Sequence, residues 1–393
     1  MGVAVVPSGA ELVSRAAGLV PVSRVHAGWA EENRRLHPEV VEALTGSGIV
    51  RMRVPVRYGG FESDMGTVVA VLAELARGDG SASWTASVWA VSAWMVGLFP
   101  EAVQDEVFAD PAVRVSGILS PTAVATPVPG GVVVSGKWSF NTGSQQSMWN
   151  TNAAILLAEG RDPEPVMVAI PLTDLRVVDD WHTAGLRGSG SVSTVAEGVF
   201  VPAGRVLPMG PVLGGAPAPG VNAASPVWRA PFMPTACTTV CGTALGLAKA
   251  AKEVFFDRLP GRKITYTDYT SQADAPITHL QVADATIKID EADFHATRAA
   301  TLLDTKAAAD AAWTLEERAR IRLDLGAVCQ RAKDAVDTLN TASGGSSIYT
   351  TVPIQRIERD IQTLNLHAIL HPNTNLELYG RILCGLPPNT PYI

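Results

Sequence analysis

The spacing of apolar residues changes period twice along the chain, and this constrains the fold more than any other feature of the sequence. From Glu31 to about Asp110, HPEVVEALTGSGI, MGTVVAVLAELARG, the tryptophan-rich stretch after Gly80 and PEAVQDEVFAD repeat at helical spacing, the last with a proline at a helix start. From about Val113 the pattern becomes short β-branched runs cut by Gly and Pro: RVSGIL, GGVVVSGKWSF, AAILLAEG, PVMVAIPL, RVVDDW and STVAEGVFVP. Beyond the Pro/Gly/Ala-rich passage MGPVLGGAPAPGVNAASP, helical patterns return from about Ala236 to Leu339 and from Ile354 to His371. The expected order is helices, then sheet, then a helical bundle. Without βαβ alternation, and without GxGxxG after a strand, a Rossmann domain is not indicated. GLRGSGS at Gly185 to Ser191 leads into a strand pattern, which argues against a phosphate loop.

With 393 residues, 47% of them hydrophobic and 18% charged, the chain can bury large cores and make two or three domains. A formal charge of −7 and the lack of any Lys/Arg run argue against a nucleic-acid partner. Cys237, Cys241, Cys329 and Cys384 have no CxxC spacing, and the first two lie one helical turn apart in an apolar stretch. That pattern reads as core packing, so no metal or disulfide site is expected. The first twenty residues lack the basic-then-apolar order of a signal peptide, with Glu11 and Arg15 interrupting early, so a cytoplasmic protein is expected. Gly80 to Pro100 is uncharged and approaches membrane-spanning length. Its Ser and Thr residues, and tryptophans at 84, 89 and 94 rather than at the ends, fit a buried helix better than a membrane span.

Three ordered motifs carry a family resemblance. They are IVRMRVPVRYGG (Ile49 to Gly60) followed by ELARGDGSASW; DDWHTAGLRGSGSVSTVAEGVFVPAGRVL; and SGGSSIYTTVPIQRIERDIQ. They resemble, in turn, the VPxxYGG turn and following helix, the GxRGSxS segment with its VPxxxVL exit, and the GG, P and RxxRD signature of the acyl-CoA dehydrogenase superfamily. The resemblance covers nearly the whole chain from about residue 30. It implies an α+β, acyl-CoA-dehydrogenase-like fold: an N-terminal all-α domain at 1–112, a central β-sandwich or barrel domain at 113–222, and a C-terminal four-helix bundle at 223–393.

The same motifs separate branches of the superfamily. Where many of its dehydrogenases carry a glutamate base after the RD pair, this chain has Ala368, and His367 stands where the flavin-dependent two-component monooxygenases place a histidine facing the flavin. GKWSFNTGSQQSMW resembles their WxFxSG segment, with Thr142 at the hydroxyl that points at flavin N5 and Trp84 at an aromatic near the ring. By itself Thr142 reads equally as a turn residue. Ser120 and Asn141 are further cofactor contacts that the resemblance implies. Ser92 stands where the phenol hydroxylases hold a substrate phenolate with histidine, which points to a ring that reacts without deprotonation, such as an indole or a fused polycycle.

Arg258, Arg262 and Lys263 match cations that meet flavin phosphates, frequently across a subunit boundary, or else form a solvated turn. Gly344 and Gly345 match a pair that approaches the adenine half of a neighbouring subunit's flavin, or an ordinary helix end. His367 and His371, spaced i, i+4 and followed by Pro372 as a helix stop, lack the glutamate of a metal motif.

The resemblance therefore implies a homotetrameric oxygenase component. Its cofactor is reduced FAD, with FMN as an alternative, supplied by diffusion from a separate reductase. Molecular oxygen is the co-substrate, a C4a-hydroperoxyflavin forms, and a small aromatic (indole-like, polycyclic or phenolic) substrate is hydroxylated in natural-product tailoring. The alternatives are an FAD-dependent acyl-CoA dehydrogenase or oxidase, and an N- or S-oxygenating flavin monooxygenase.

Overall fold

The computed structural model describes residues 6–216 and 218–393. Helices α1 (Gly9–Asn33), α2 (Pro38–Gly46), α3 (Met65–Gly78), α4 (Gly80–Val96) and α5 (Glu101–Val107) come first. Strands β1 (Val115–Val128), β2 (Gly131–Trp138), β3 (Trp149–Leu156), β4 (Glu164–Pro171), β5 (Arg176–Val178), β6 (Ser193–Pro202) and β7 (Val206–Pro208) follow. The chain ends in α6 (Met209–Gly214), α7 (Phe232–Arg258), α8 (Pro276–Ala308), α9 (Leu315–Ala342), α10 (Pro353–Asn365) and α11 (Pro372–Leu383).

The strands form a single mixed sheet in the order β5-β6-β2-β1-β3-β4-β7, with β1 and β3 parallel and the other pairs antiparallel. Its own apolar cluster includes Val134, Trp138, Val166 and Val168, and the Trp138 indole N–H donates to the Ala153 carbonyl at 2.6 Å. The register of β1 against β3 shifts between Ile118 and Ala123, so Leu119 to Thr122 leave the ladder. That irregularity carries Ser120 and Pro121 to the wall of the cavity described below.

Helices from both sides of the sheet in sequence share one core. α3 packs on α7, α7 on α9, and α8 on α9, with one apolar cluster running through α1, α3, α4 and the C-terminal helices. Gly242 and Gly246 make the α3–α7 approach possible. A Cβ would lie 2.5 Å from the Val69 carbonyl oxygen at the first and 2.2 Å from that of Ala73 at the second. Near the end of α8, Asp304 accepts the Met65 and Gly66 N–H groups at 2.8 and 3.0 Å, while Asp64 accepts that of Thr67 at 2.6 Å. Two carboxylates thus satisfy the free amides at the positive end of α3.

The uncharged stretch after Gly80 becomes α4, buried at every position but Val91. Its tryptophans serve three directions. Trp84 faces the cavity, the Trp89 indole N–H donates to Ser147 Oγ at 3.0 Å, and that of Trp94 donates to the Val227 carbonyl at 2.8 Å. No helix among the described residues is long and apolar enough to cross a membrane.

The structure differs from the sequence reading at two places. α1 begins well before Glu31; its buried face (Leu12, Ala16, Val20, Ser23, Ala27, Ala30) keeps helical spacing but is mostly alanine and serine, which do not stand out as an apolar stripe, and Pro21 lies within it. The helix expected to run to His371 ends at Asn365, and Pro372 opens α11 instead of stopping a helix, because the missing N–H of proline costs nothing at a first turn. His367 and His371 therefore do not share a helix face. The signal-peptide reading drew partly on residues 1–5, which lie outside the described residues.

Gly246→Val forces a branched side chain onto the Ala73 carbonyl and should cost about 1–3 kcal/mol, as overpacking does. The urea midpoint should fall with an unchanged slope. An unchanged midpoint would show that α3 and α7 part without penalty.

Candidate active site

A cavity of about 1050 Å³ opens between α4, the irregular part of β1, the turn at 139–142, the loop at 181–191, the first turns of α7, and the segments at 363–369 and 389–392. Its wall is mainly apolar and aromatic, with Trp84, Phe140, Trp181 and Phe232 among the large side chains. It is large enough for a flat polycyclic cofactor ring together with a small substrate.

The turn at 139–142 is held in place by glycine and by a chain of hydroxyls. Gly143 has φ 68°, and a Cβ there would lie 2.7 Å from Thr85 Cγ2 and 2.8 Å from Trp89 Nε1, so α4 requires glycine at this position. Phe140, three residues earlier, is left-handed with φ 64° and rests edge-on to Trp181. Ser189 donates to the Leu186 carbonyl at 2.7 Å, Ser189 and Ser191 hydroxyls pair at 2.8 Å, and Ser191 and Thr142 hydroxyls pair at 2.7 Å. Because the Ser189 proton is committed to a carbonyl, each following hydroxyl donates back along the chain, and the Thr142 proton goes to Ser191. The Trp84 indole N–H donates to Thr142 Oγ at 3.2 Å. One lone pair of Thr142 remains, so toward the cavity this residue is an acceptor.

His367 lies in the turn after α10, with its ring edge-on to Trp84 at 5.2 Å between centroids. Its Nδ1 accepts the Ile369 N–H at 3.3 Å, so the proton of the neutral ring sits on Nε2. The ring is exposed by area because it fronts the cavity, yet protein is packed densely around it, and the packing governs its basicity. Burial first, and the Arg322 charge second, push this imidazole down to about 4. His367 is a neutral N–H donor at ordinary pH.

The second half of the RxxRD motif holds this arrangement from behind. Asp360 accepts the Leu186 N–H at 2.6 Å, and Arg359 donates to the Ala184 carbonyl at 2.6 Å, so α10 grips the loop that carries Ser189 and Ser191. Gly185 permits the grip, since a Cβ there would lie 2.0 Å from the Arg359 carbonyl oxygen. Leu186 is left-handed, with φ 49°. Burial, and then the neighbouring Asp79 charge, push the Asp360 carboxyl up to about 7. Asp79 is itself raised by burial and caps α4 through the Ala82 N–H at 3.1 Å.

Of the residues singled out in the sequence, the cavity gathers Trp84, Ser92, Ser120, Thr142 and His367, with Ala368 beside the last. Asn141 does not join them. Its amide turns into the sheet, donating to Asn150 Oδ1 at 2.5 Å and Thr194 Oγ1 at 2.8 Å. Arg258, Arg262, Lys263, Gly344 and Gly345 are also absent from the wall. Arg258 and Arg262 reach Ser346 Oγ at 3.3 and 3.5 Å, and Arg262 also donates to the Ser343 carbonyl, which makes a separate cationic corner at the far ends of α7 and α9. Ser189, Ser191, Asp360 and Arg322 received no role from the sequence. The first three lie inside quoted motifs, so the signal was present, whereas nothing in the local sequence around Arg322 marks it.

These groups fit a flavin. An acceptor beside a tryptophan suits a ring edge that carries an N–H, and the apolar wall suits the ring faces.

Comparison with known proteins agrees. Residues 20–114 match the acyl-CoA dehydrogenase N-terminal domain, and residues 238–372 match the acyl-CoA dehydrogenase C-terminal domain. A pigment production hydroxylase of Rhodococcus sp. is 30% identical over 98% of this chain and 98% of its own. The flavin-dependent monooxygenase oxygenase subunit HsaA of Rhodococcus jostii is 29% identical over 95% of this chain and 98% of its own. The structure of XiaF from Streptomyces sp., in complex with FADH2 and glycerol, superposes with a TM-score of 0.92 at 30% identity and covers 98% of both chains. The chain belongs to the acyl-CoA dehydrogenase superfamily and, within it, to the flavin-dependent monooxygenases, as the oxygenase component of a two-component system.

Lowered basicity at His367 sets a pH dependence. The unfolded chain takes up a proton there near the ordinary 6.5 and the folded chain near 4, so between those values the unfolded state binds more protons and stability falls on acidification. Urea midpoints of the native protein should drop more steeply across this window than those of His367→Gln. Parallel curves would mean that the ring titrates as it does in water.

Proposed function

We propose that this enzyme takes reduced FAD by diffusion from a separate reductase and inserts one oxygen atom of dioxygen into an electron-rich aromatic substrate of indole, fused polycyclic or phenolic type, in tailoring a natural product. The observation that carries the reading is the committed hydroxyl chain, which leaves Thr142 Oγ as an acceptor on an apolar wall beside Trp84 and His367. When bound, the flavin supplies the chemistry, carrying dioxygen as a C4a-hydroperoxide with an electrophilic distal oxygen.

The chain's own residues protect and direct that chemistry. Thr142 Oγ is placed to hold a ring N–H proton, and the apolar wall keeps out the water that would carry the proton away. The His367 Nε2–H donates toward oxygen. Ser92 supplies a neutral hydroxyl, which suits a ring that reacts without losing a proton. At Ala368 a methyl group stands where a dehydrogenase of this superfamily would need a carboxylate, which disfavours removal of a substrate α-proton. FAD is favoured over FMN because the 30%-identical XiaF was solved with FADH2.

A homotetramer belongs to the same reading. On α8, Ile277, Leu280, Ile287 and Phe294 are 55%, 72%, 59% and 59% exposed and share one helix face, an apolar stripe that suits a second copy. The cationic corner of Arg258 and Arg262 lies off the cavity of its own chain, as expected if it meets the phosphates of a neighbour's flavin.

Two measurements test this reading. Reduced FAD and reduced FMN are bound anaerobically and mixed rapidly with oxygenated buffer; the expected result is a long-lived near-ultraviolet intermediate with FAD whose lifetime falls about tenfold or more in Thr142→Ala, corresponding to the loss of one good hydrogen bond. Oxidised FAD bleached by an acyl-CoA, with no such intermediate, would overturn it. Light scattering should give a tetramer, and a stable monomer would remove the oligomeric part.

A further inference from the structure

Arg322 projects from α9 to the cavity wall and is only 6% exposed. Its guanidinium is fixed on two sides: Nε donates to Asn375 Oδ1 at 2.8 Å, and Nη1 donates to the Tyr392 carbonyl. Asn375 is fully buried and in turn donates to the Ile369 carbonyl at 2.9 Å, which links the clamp to the turn that carries His367. Both acceptors are neutral. Among the described residues no carboxylate lies within ion-pair distance of Arg322, and Nη2 has no hydrogen-bond partner.

The neighbouring acidic side chains are accounted for. Asp324, two residues on, is taken by Arg298 and His295 with Arg320 at 3.6 Å, and Glu377, on the cavity wall, is exposed and makes no ion pair with Arg322. A guanidinium removed from water without a counter-charge is costly, and a fold that tolerates one normally meets an anion there. The cationic corner that suits flavin phosphates lies elsewhere, at Arg258 and Arg262.

We propose that Arg322 anchors a carboxylate on the aromatic substrate, so that the enzyme takes aromatic acids in preference to neutral rings. This rests on the reading that the cavity holds an aromatic substrate beside the flavin. The two N–H bonds of Nη2 remain to donate to the carboxylate, at a point fixed by α9, α11 and the segment ending at Tyr392. The apolar surface of Phe232, Ala236 and Val240 lines the same cavity and suits the ring. The acid would set the ring's register and thereby the carbon presented for oxygenation.

The test is calorimetric binding, without flavin, of phenylacetate, indole-3-acetate and 2-naphthoate, each against its methyl ester. At least one acid should bind about tenfold or more tightly than its ester, the gain expected of one charge-assisted hydrogen-bonded pair. In Arg322→Gln that ratio should collapse to about one. Asn375→Ala loosens the same clamp but keeps the charge, so it should retain an acid preference even if both ligands bind more weakly. Equal affinity of every acid and ester in the native protein, no binding at all, or an equal loss for both in Arg322→Gln would overturn the proposal. The oxygen reaction of the substrate-free, reduced-flavin enzyme does not depend on the acid preference, so its failure would count against the monooxygenase reading and not against Arg322.

Discussion

One buried carboxylate ties together the segments that build the cavity wall. Asp360, on α10, holds the Leu186 amide and lies against the first turn of α4, where a Cβ on Gly80 would come within 3.1 Å of its Oδ2. Three segments meet there: the loop with Ser189 and Ser191, the helix with Trp84, and the helix whose end presents His367. A carboxyl so deeply buried next to a second one, Asp79, is a poor place for full charge, and its affinity for protons rises accordingly. The positive end of α4 and the Leu186 amide offset part of that cost. The arrangement favours geometry over stability, as is common where side chains must be held near a reacting centre.

Hydroxyl direction follows from the same loop. The Thr142 acceptor is not a property of threonine, whose hydroxyl can donate or accept. It follows from the Leu186 carbonyl, which takes the Ser189 proton and so orients Ser191 and Thr142 behind it. Leu186 thus contributes its amide to Asp360 and its carbonyl to the hydroxyl chain, and its left-handed backbone lets both point as they do. Asp360 on α10 is thereby linked through Leu186 to the hydroxyl of Thr142, although the two residues are far apart in sequence.

Much of the fold was legible because the period of the apolar residues changes where the architecture changes. The uncharged run after Gly80 was legible as a buried helix from its hydroxyls and its tryptophan spacing. α1 was harder, because alanine and serine pack its inner face and give little contrast between buried and exposed positions. The stop at Asn365 is hidden, because Pro372 after an apolar run reads as a helix end, whereas it opens the next helix. At the site, Trp84, Ser92, Ser120, Thr142 and His367 were found through motif resemblance, and the cavity does bring them together. The resemblance implies Asn141 as a contact as well, yet in the turn that presents Thr142 its amide is drawn the other way, into the buried polar group of Asn150 and Thr194, which lie on strands that the local sequence does not connect with it.

Arg322 shows where sequence reasoning stops. On α9 it sits among Glu316, Arg318, Arg320 and Asp324, a charged run that reads as a solvated helix face. Only the packing of α11 and the segment ending at Tyr392 over that face turns one arginine inward, and those contacts are separated from it by more than fifty residues of chain. The arginines on either side keep their conventional duties, with Arg318 donating to the Leu213 carbonyl and Arg320 reaching Tyr379. A charge enclosed by tertiary structure without a partner of its own sign-opposite kind is visible only after folding. For that reason the arginine proposed to select the substrate is the one least marked in the sequence, whereas the groups proposed to meet the flavin lie in motifs that could be read from it.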